Sequence, residues 1–250
     1  MRGAIIVVGS LLLGVGASSC AERGDHPADR SALPAFPAHE AAAVVRGRVV
    51  WKGDSLPRVR PLPIPLPDAP EIVNPKWEVD SETHGVPHAF VEVLGIADRW
   101  RFDARDDAIV LRQEGLRYYP FVAGALVGQE VVVENHEDIL HNFKWTGRRN
   151  GTFNQNLEKG ARASVRFRFP ETVHFQCDVQ NWMDAWVYVR EHPIFAVTTK
   201  DGSFELPKLP PGTYEISVRH PNPGWEGERR GIQVREGDRS EIVLTIRSMS

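Results

Sequence analysis

Cysteine is nearly absent: the 250 residues contain two, Cys20 and Cys177. A pair of sulfurs cannot supply the disulfide framework that many small exported domains rely on. Excess charge of one sign is missing too. With 30 Lys+Arg against 33 Asp+Glu the net charge is -3, so no broad basic field exists for binding nucleic acid, and no nucleic-acid partner is expected. Lysine is scarce, six residues of the 30 cations. The positive charge is therefore carried mainly by arginine, a pattern that suits interface ion pairs and follows equally from a GC-rich genome. No convincing amphipathic helix is legible. Nor is there a nucleophile–base pairing, a phosphate loop, a paired-carboxylate motif or a metalloprotease spacing, so the reading is non-enzymatic.

What is present is an ordinary globular composition, 42% hydrophobic and 25% charged, on a chain long enough for two sandwich-sized domains. The longest apolar run, Ala4 to Ala17, follows Arg2 and precedes Ser18-Ser19-Cys20. It is too short to span a bilayer of about 30 Å and reads as the apolar core of a signal peptide, residues 1–20. Small residues before a cysteine resemble a lipobox. Cys20 is thus expected to be the acylated first residue of a lipoprotein on the periplasmic side of a bacterial membrane, the alternative being an ordinary signal peptide with Cys20 unmodified. With Cys20 lipidated, Cys177 has no intramolecular partner, and its thiol calls for burial, a metal or an intermolecular bond.

Residues 21–42, rich in Pro, Ala, His and Asp without sustained period, read as a flexible tether. Beyond it the chain alternates with period two, most plainly over Arg162 to Phe169 and again at Gln129–Asn135, Val173–Cys177, Ala185–Arg190, Thr213–Arg219 and Glu241–Arg247. Turn signals such as Asp201-Gly202 and Pro210-Pro211-Gly212 separate these runs. The fold class is all-β, as sandwiches. Prolines at 61, 63, 65, 67 and 70 make that stretch a polyproline-like extended connection or a docking arm.

Two segments carry a resemblance. Gly128 to Asn135 leads into His136-Glu137-Asp138-Ile139-Leu140-His141-Asn142-Phe143, and Phe169 to Cys177 leads into Asp178-Val179-Gln180-Asn181-Trp182-Met183. Together they resemble the plastocyanin-like cupredoxins, in which "N-x-x-D-x-x-H-N" supplies one histidine and "C-x-x-H-x-x-M" the other three copper ligands. The resemblance covers roughly residues 100 to 190 and implies a Greek-key sandwich with His141, Cys177 and Met183 at the ligand positions. Gln180 falls where the second histidine belongs, and Phe121 stands in the "P-H-V" turn of bacterial relatives. Blue copper needs a thiolate and two imidazoles with a weak axial thioether. The resemblance therefore implies a degenerate site without a cofactor, with copper binding by an electron carrier as the alternative. Each residue also has a plain account: Cys177 as a small buried hydrophobe, His141 as a satisfied core-edge histidine, Met183 as apolar filler. His136 could compensate for the missing ligand, whereas strand parity turns His174 away from Cys177.

Pro193 to Leu206 and Leu209-Pro210-Pro211-Gly212-Thr213-Tyr214 resemble the carboxypeptidase regulatory-like modules, which are small transthyretin-like sandwiches. Their opening strands are missing just before Pro193 and occur instead at Gly47–Val50 and Ala89–Val93. The expected organisation is two Greek-key β-sandwiches, with 43–97 and 192–250 forming a regulatory-like sandwich joined to, or interrupted by, a cupredoxin-like domain at 98–191. The expected function is a lipid-anchored accessory or docking subunit with a protein partner in a membrane electron-transfer complex. Trp182, Arg148 and Arg149 are the expected contact residues, since Trp and Arg dominate binding hot spots.

Overall fold

A computed structural model describes residues 29–65, 67–68 and 71–249. The signal segment and Cys20 lie outside the described residues. Two strands come first, β1 (Val44–Trp51) and β2 (Phe90–Leu94). Nine follow in the middle: β3 (Ile109–Glu114), β4 (Arg117–Tyr119), β5 (Val122–Leu126), β6 (Glu130–Asn135), β7 (His141–Thr146), β8 (Thr152–Leu157), β9 (Arg162–Arg166), β10 (Glu171–Gln176) and β11 (Asp184–Arg190). The last are β12 (Phe195–Val197), β13 (Ser203–Glu205), β14 (Gly212–Arg219), β15 (Trp225–Gly227), β16 (Arg229–Val234) and β17 (Arg239–Ser248). Among the described residues the helices are single 3-10 turns, Pro75–Trp77 and Ile96–Asp98, and none is long and apolar enough to cross a membrane.

The all-β fold arranges these strands as two sandwiches. One pairs the sheet β13-β1-β17-β15 with the sheet β12-β2-β14-β16, so each sheet mixes strands from both ends of the chain. The other pairs β5-β11-β10-β7-β8 with β4-β3-β6-β9 and uses only the contiguous middle strands. Each has its own apolar core: Val49, Val91, Val93, Ile216, Leu244 and Ile246 in the outer sandwich, and Leu111, Val131, Val133, Val173, Phe175 and Ala185 in the central one.

Local sequence explains most of this. In β9 the alternation of Arg162-Ala163-Ser164-Val165-Arg166 turns Ala163 and Val165 toward the core and leaves the arginines exposed. The alternation continues in sequence to Phe169, yet the strand stops at Arg166. β8 is a polar edge, exposed over Thr152–Asn156, which blunts it against pairing with other chains. At the Asp201-Gly202 turn, Gly202 has φ 81 and its carbonyl accepts the Val49 N–H at 2.8 Å. A Cβ there would sit 2.3 Å from Val49 O. In the proline-rich connection the non-proline residues still donate, Leu62 N–H to Ile72 O at 2.7 Å, and Pro61 bridges Val73.

The expected tether differs from its reading over its described part. Arg30 donates to Ala97 O at 2.7 Å and pairs with Asp98 and Glu191, while Phe36 packs on Trp100 and Phe102 with centroids 5.7 and 4.9 Å away. Composition could not show this, because one Arg and one Phe with well-placed partners suffice to lay a polar segment against the body.

The sandwiches meet at a small aromatic cluster of Phe90, Phe121, Val122 and Tyr188. Phe90 and Tyr188 stack at 4.3 Å with planes 6° apart. Beside them the buried Glu92 of β2 takes Arg190 of β11 and, at 2.9 Å, Arg219 of β14. Burial pushes the Glu92 carboxyl up, but the two guanidinium groups outweigh it and hold it below the ordinary range. Phe121 therefore belongs to the joint between sandwiches rather than to the surroundings of Cys177.

Candidate functional site

The two motif segments converge at one end of the central sandwich. β7 begins with His141, and β10 runs antiparallel beside it, with Gln176 opposite Lys144, so Cys177 emerges next to the histidine. The following loop folds back on itself: Met183 N–H donates to Gln180 O at 2.8 Å and Cys177 N–H to Met183 O at 3.2 Å. His141, Cys177, Gln180 and Met183 end up 0, 2, 8 and 1% exposed.

His141 Nδ1 lies 3.7 Å from Cys177 Sγ, and its Nε2 lies 2.6 Å from the Glu137 carboxylate. A carboxylate on the far nitrogen fixes tautomer and ring orientation. In thiol form Cys177 donates to Gln180 Oε1 at 3.0 Å, while the Gln180 N–H donates to Sγ at 3.4 Å. A carboxamide has a donor and an acceptor side, so turning it over satisfies a thiolate equally. Burial pushes the Cys177 thiol up, but the His141 imidazole and the surrounding backbone N–H groups outweigh it and hold it below the ordinary thiol value. Burial likewise opposes charge on His141, yet Cys177 and Glu137 raise its pKa overall.

Asn142 ties the loop down: its Oδ1 accepts the N–H groups of Asp178 and Val179 at 3.0 and 3.2 Å. Behind it, Gln113 Nε2 donates to Asn142 O at 2.9 Å and to the Tyr118 hydroxyl at 2.7 Å. Burial drives the Tyr118 hydroxyl far above its usual range. Glu137, Asn142, Gln113 and Tyr118 were not singled out from sequence. Asn142 sits inside the motif and was available to find; Gln113 and Tyr118 come from β3 and β4, and no local spacing points to them.

The expected contact residues fall in two places. Trp182 is half-buried against the central core, and its indole N–H donates to Leu116 O at 3.2 Å. Arg148 and Arg149 lie in the β7–β8 turn, where their backbone N–H groups bind the Glu171 carboxylate at 2.7 and 3.1 Å. The Arg149 guanidinium sits over Phe169 at 4.5 Å. That turn is at the opposite end of β7 from His141, about 20 Å away for a six-residue strand. The two sets therefore lie at opposite ends of β7. Neither other motif histidine reaches the site: His136 pairs with Glu134 at 3.0 Å, and His174 stacks on Trp186 with centroids 3.9 Å apart.

Copper can be tested against this donor set. Metal bonds of about 2.3 Å to sulfur and 2.0 Å to nitrogen place two donors of one ion about 3.5–3.7 Å apart at tetrahedral to trigonal angles. The Sγ to Nδ1 separation of 3.7 Å fits. The Sγ to Oε1 separation of 3.0 Å is a hydrogen-bond distance and too close for a second equatorial ligand. Among the described residues no group of three or more His, Cys, Asp and Glu side chains is placed to hold a metal ion. The donors present do not make a blue-copper set.

No protein-family model matches this sequence, and no curated protein does. Among solved structures the chain is similar to a mutant of amicyanin in its reduced Cu(I) form at pH 4, with 22% identity, a TM-score of 0.32, and coverage of 35% of this chain and 87% of that one. It is similar to a Cu-containing nitrite reductase from Thermus scotoductus SA-01, at 20% identity and a TM-score of 0.33 over 35% of this chain and 23% of that one. A purple cupredoxin from Nitrosopumilus maritimus is a third, at 21% identity and a TM-score of 0.29 over 34% of this chain and 99% of that one.

Proposed function

We propose that this protein is a non-enzymatic, lipid-anchored accessory subunit on the periplasmic side of a bacterial membrane, docked to a protein partner in a membrane electron-transfer complex. Its central sandwich acts as a scaffold of cupredoxin type whose copper position is closed by hydrogen bonding. The observation that carries this reading is the contact of Cys177 Sγ with Gln180 Oε1 at 3.0 Å, where a second imidazole would be needed. The docking end is the one holding this loop, because Ile139 and Val179 there are exposed apolar residues, 41 and 52% accessible, with Trp182 at their margin. Arg148 and Arg149, at the other end of β7, are proposed as further contact residues.

A copper carrier is the second reading, favoured by the separation of His141 and Cys177, which suits two ligands of one ion. Loading with Cu(II) separates the two. The wild type is expected to lack the intense visible thiolate charge-transfer band, and Gln180→His to gain it. A deep-blue wild type refutes the scaffold reading and establishes the carrier. Anchoring is tested by Cys20→Ala, which should release the protein from the membrane fraction or leave it unprocessed, as judged by fractionation and intact mass.

A further inference from the structure

The end of β7 remote from Cys177 gathers arginine in two adjoining loops. Arg148 and Arg149 lie in the β7–β8 turn, and Arg168 lies between β9 and β10. Asn150 ties the loops together: its Oδ1 accepts the N–H groups of Arg168 and Phe169 at 2.9 and 3.1 Å, and its Nδ2 donates to Phe169 O at 2.9 Å. Arg148 and Arg168 are exposed. Neither guanidinium has a hydrogen-bond or ionic partner among the described residues.

The acids at this end are mostly engaged. Glu171 accepts the backbone N–H groups of Arg148, Arg149 and Asn150 at 2.7, 3.1 and 2.7 Å. Glu130 pairs with Arg166 at 3.3 Å and Asp107 with Arg105 at 2.8 Å. Asp103 and Asp106 are exposed and have no ionic partner among the described residues, but they lie on the segment entering β3. Since β6 stands between β3 and β9, they are displaced by about 10 Å at the ordinary strand spacing. Positive charge is therefore concentrated on the β8–β9 side.

The beginning of the described chain lies at this same end. Arg30 pairs at 2.9 Å with Glu191, directly after β11, and Arg190 of β11 donates to Glu171 O at 3.4 Å. About ten residues separate Arg30 from Cys20, a reach of at most about 35 Å when fully extended. With Cys20 acylated, this end stays within that distance of the lipid. The Cys177 loop is about 20 Å further along β7.

We infer that the end of the central sandwich bearing Arg148 and Arg168 rests on anionic phospholipid headgroups of the anchoring membrane, so that the Cys177 loop points away from the bilayer. The inference rests on the lipoprotein reading for the anchor and is independent of the state of Cys177. Guanidinium matches phosphate in charge and geometry, and these two groups have no internal ion pair to break. A lipid chain alone holds the body near the surface, whereas added basic side chains strengthen the contact and fix which end meets it.

The test reconstitutes the full acylated chain, its lipid confirmed by intact mass, into vesicles of phosphatidylcholine with or without phosphatidylglycerol. A nitroxide is placed at Thr152→Cys, exposed at this end, or at Asn181→Cys, exposed in the Cys177 loop. A nickel chelate on the lipid headgroups relaxes whichever label lies near the surface. Cys177 is 2% exposed, and the wild type taken through the labelling controls for it. With phosphatidylglycerol present, relaxation should be several-fold stronger at 152 than at 181. Arg148→Gln combined with Arg168→Gln should remove that difference, with thermal unfolding recorded to confirm the fold. Phosphatidylcholine alone should remove it too, as should salt at about 1 M, which screens charges beyond about 3 Å. Should the double variant fail to fold, the lipid and salt comparisons on the wild type decide. Equal relaxation at the two positions, stronger relaxation at 181, or a difference insensitive to lipid charge and salt overturns the inference. A chain whose mass shows no lipid refutes the anchor alone. Its affinity from solution for phosphatidylglycerol vesicles then reads the arginine end and should fall about 25-fold in the double variant, about fivefold for each arginine; no such binding by the wild type overturns the inference.

Discussion

The outer and central sandwiches differ in how far along the chain their pairing partners lie. In the outer one β1 runs parallel to β17 from Val44↔Arg239 to Trp51↔Ile246, joining strands separated by nearly the whole chain. In the central one the widest pairing is β5 with β11, Val122 with Trp186. Closing a long flexible loop has an entropic cost that non-local contacts must repay. The central sandwich, once folded, shortens that loop by bringing Leu94 and Phe195 within reach of one sheet. The outer sandwich is therefore expected to depend on the central one more than the reverse. Their cores differ in a second respect. The central one carries a hydrogen-bonded polar set at one end, while the outer one has a buried His192 and a half-buried His220, both held below the ordinary imidazole pKa by desolvation.

The most disruptive way to break this comparison is to separate the pieces. Residues 100–190 should fold alone with a cooperative thermal transition, whereas 193–250 should not, since it lacks β1 and β2 and exposes half a core. A cooperative transition for the C-terminal piece would show that the outer sandwich does not need both chain ends. Next in size is Glu92→Ala, which leaves Arg190 and Arg219 facing each other without a carboxylate. About 3–5 kcal/mol should be lost, and calorimetry should resolve the outer sandwich melting below the central one. Glu205→Ala, removing an exposed pair with Arg46, should cost under about 1 kcal/mol.

These two histidines sharpen the difference through pH. Burial lowers His192 to about 4 and His220 to about 3, while in the unfolded chain both titrate near their usual value of about 6.5. The unfolded state therefore binds more protons below that pH. Stability is full above it and declines as pH falls toward 4 and 3, by about 2 kcal/mol per histidine at pH 5 relative to pH 7. His192 Nδ1 accepts the Ile194 N–H at 3.2 Å, and an Asn oxygen occupies a similar position. His192→Asn should flatten the acid limb of a denaturant-midpoint profile; an unchanged limb would mean that this imidazole is charged or exposed.

Smaller effects probe the joint and the docking end. A Cβ on Gly124 of β5 would lie 2.2 Å from the Phe195 ring of β12, so Gly124→Ala should cost about 1–3 kcal/mol in urea unfolding. Little or no loss would show a joint loose enough to yield. The smallest expected change in stability is for Val179→Ser, within about 0.5 kcal/mol, accompanied by reduced co-purification of a membrane partner. Undiminished co-purification would remove this loop from the docking surface.

Much of the strand content was legible, because alternation in Arg162–Arg166 or Thr213–Arg219 encodes which face is buried. The site's four motif residues were legible for a related reason, since a strand end and a tight loop bring Cys177, Gln180 and Met183 together by short-range geometry. Gln113, Tyr118 and Glu137 were not, since their role exists only once β3, β4 and the turn before β7 are packed beside Asn142 and His141. The surroundings of Phe121, and what holds the segment around Arg30, were not legible for the same reason: whether a side chain faces Cys177, the joint or open solvent depends on partners far away in the chain.

By itself the sequence determined the period-two pattern, the turns, the residue types in the two motifs and the glutamine at the second-histidine position. These are local properties, set by backbone geometry and side-chain chemistry over a few residues. Tertiary structure alone decided that Gln180 closes on Cys177, that Trp182 and the Arg148–Arg149 turn sit at opposite ends of β7, and that Phe121 packs with Phe90 and Tyr188 in the joint. Each is a distance between groups on different strands, and such distances follow from the packing of whole sheets, which no short stretch of sequence contains.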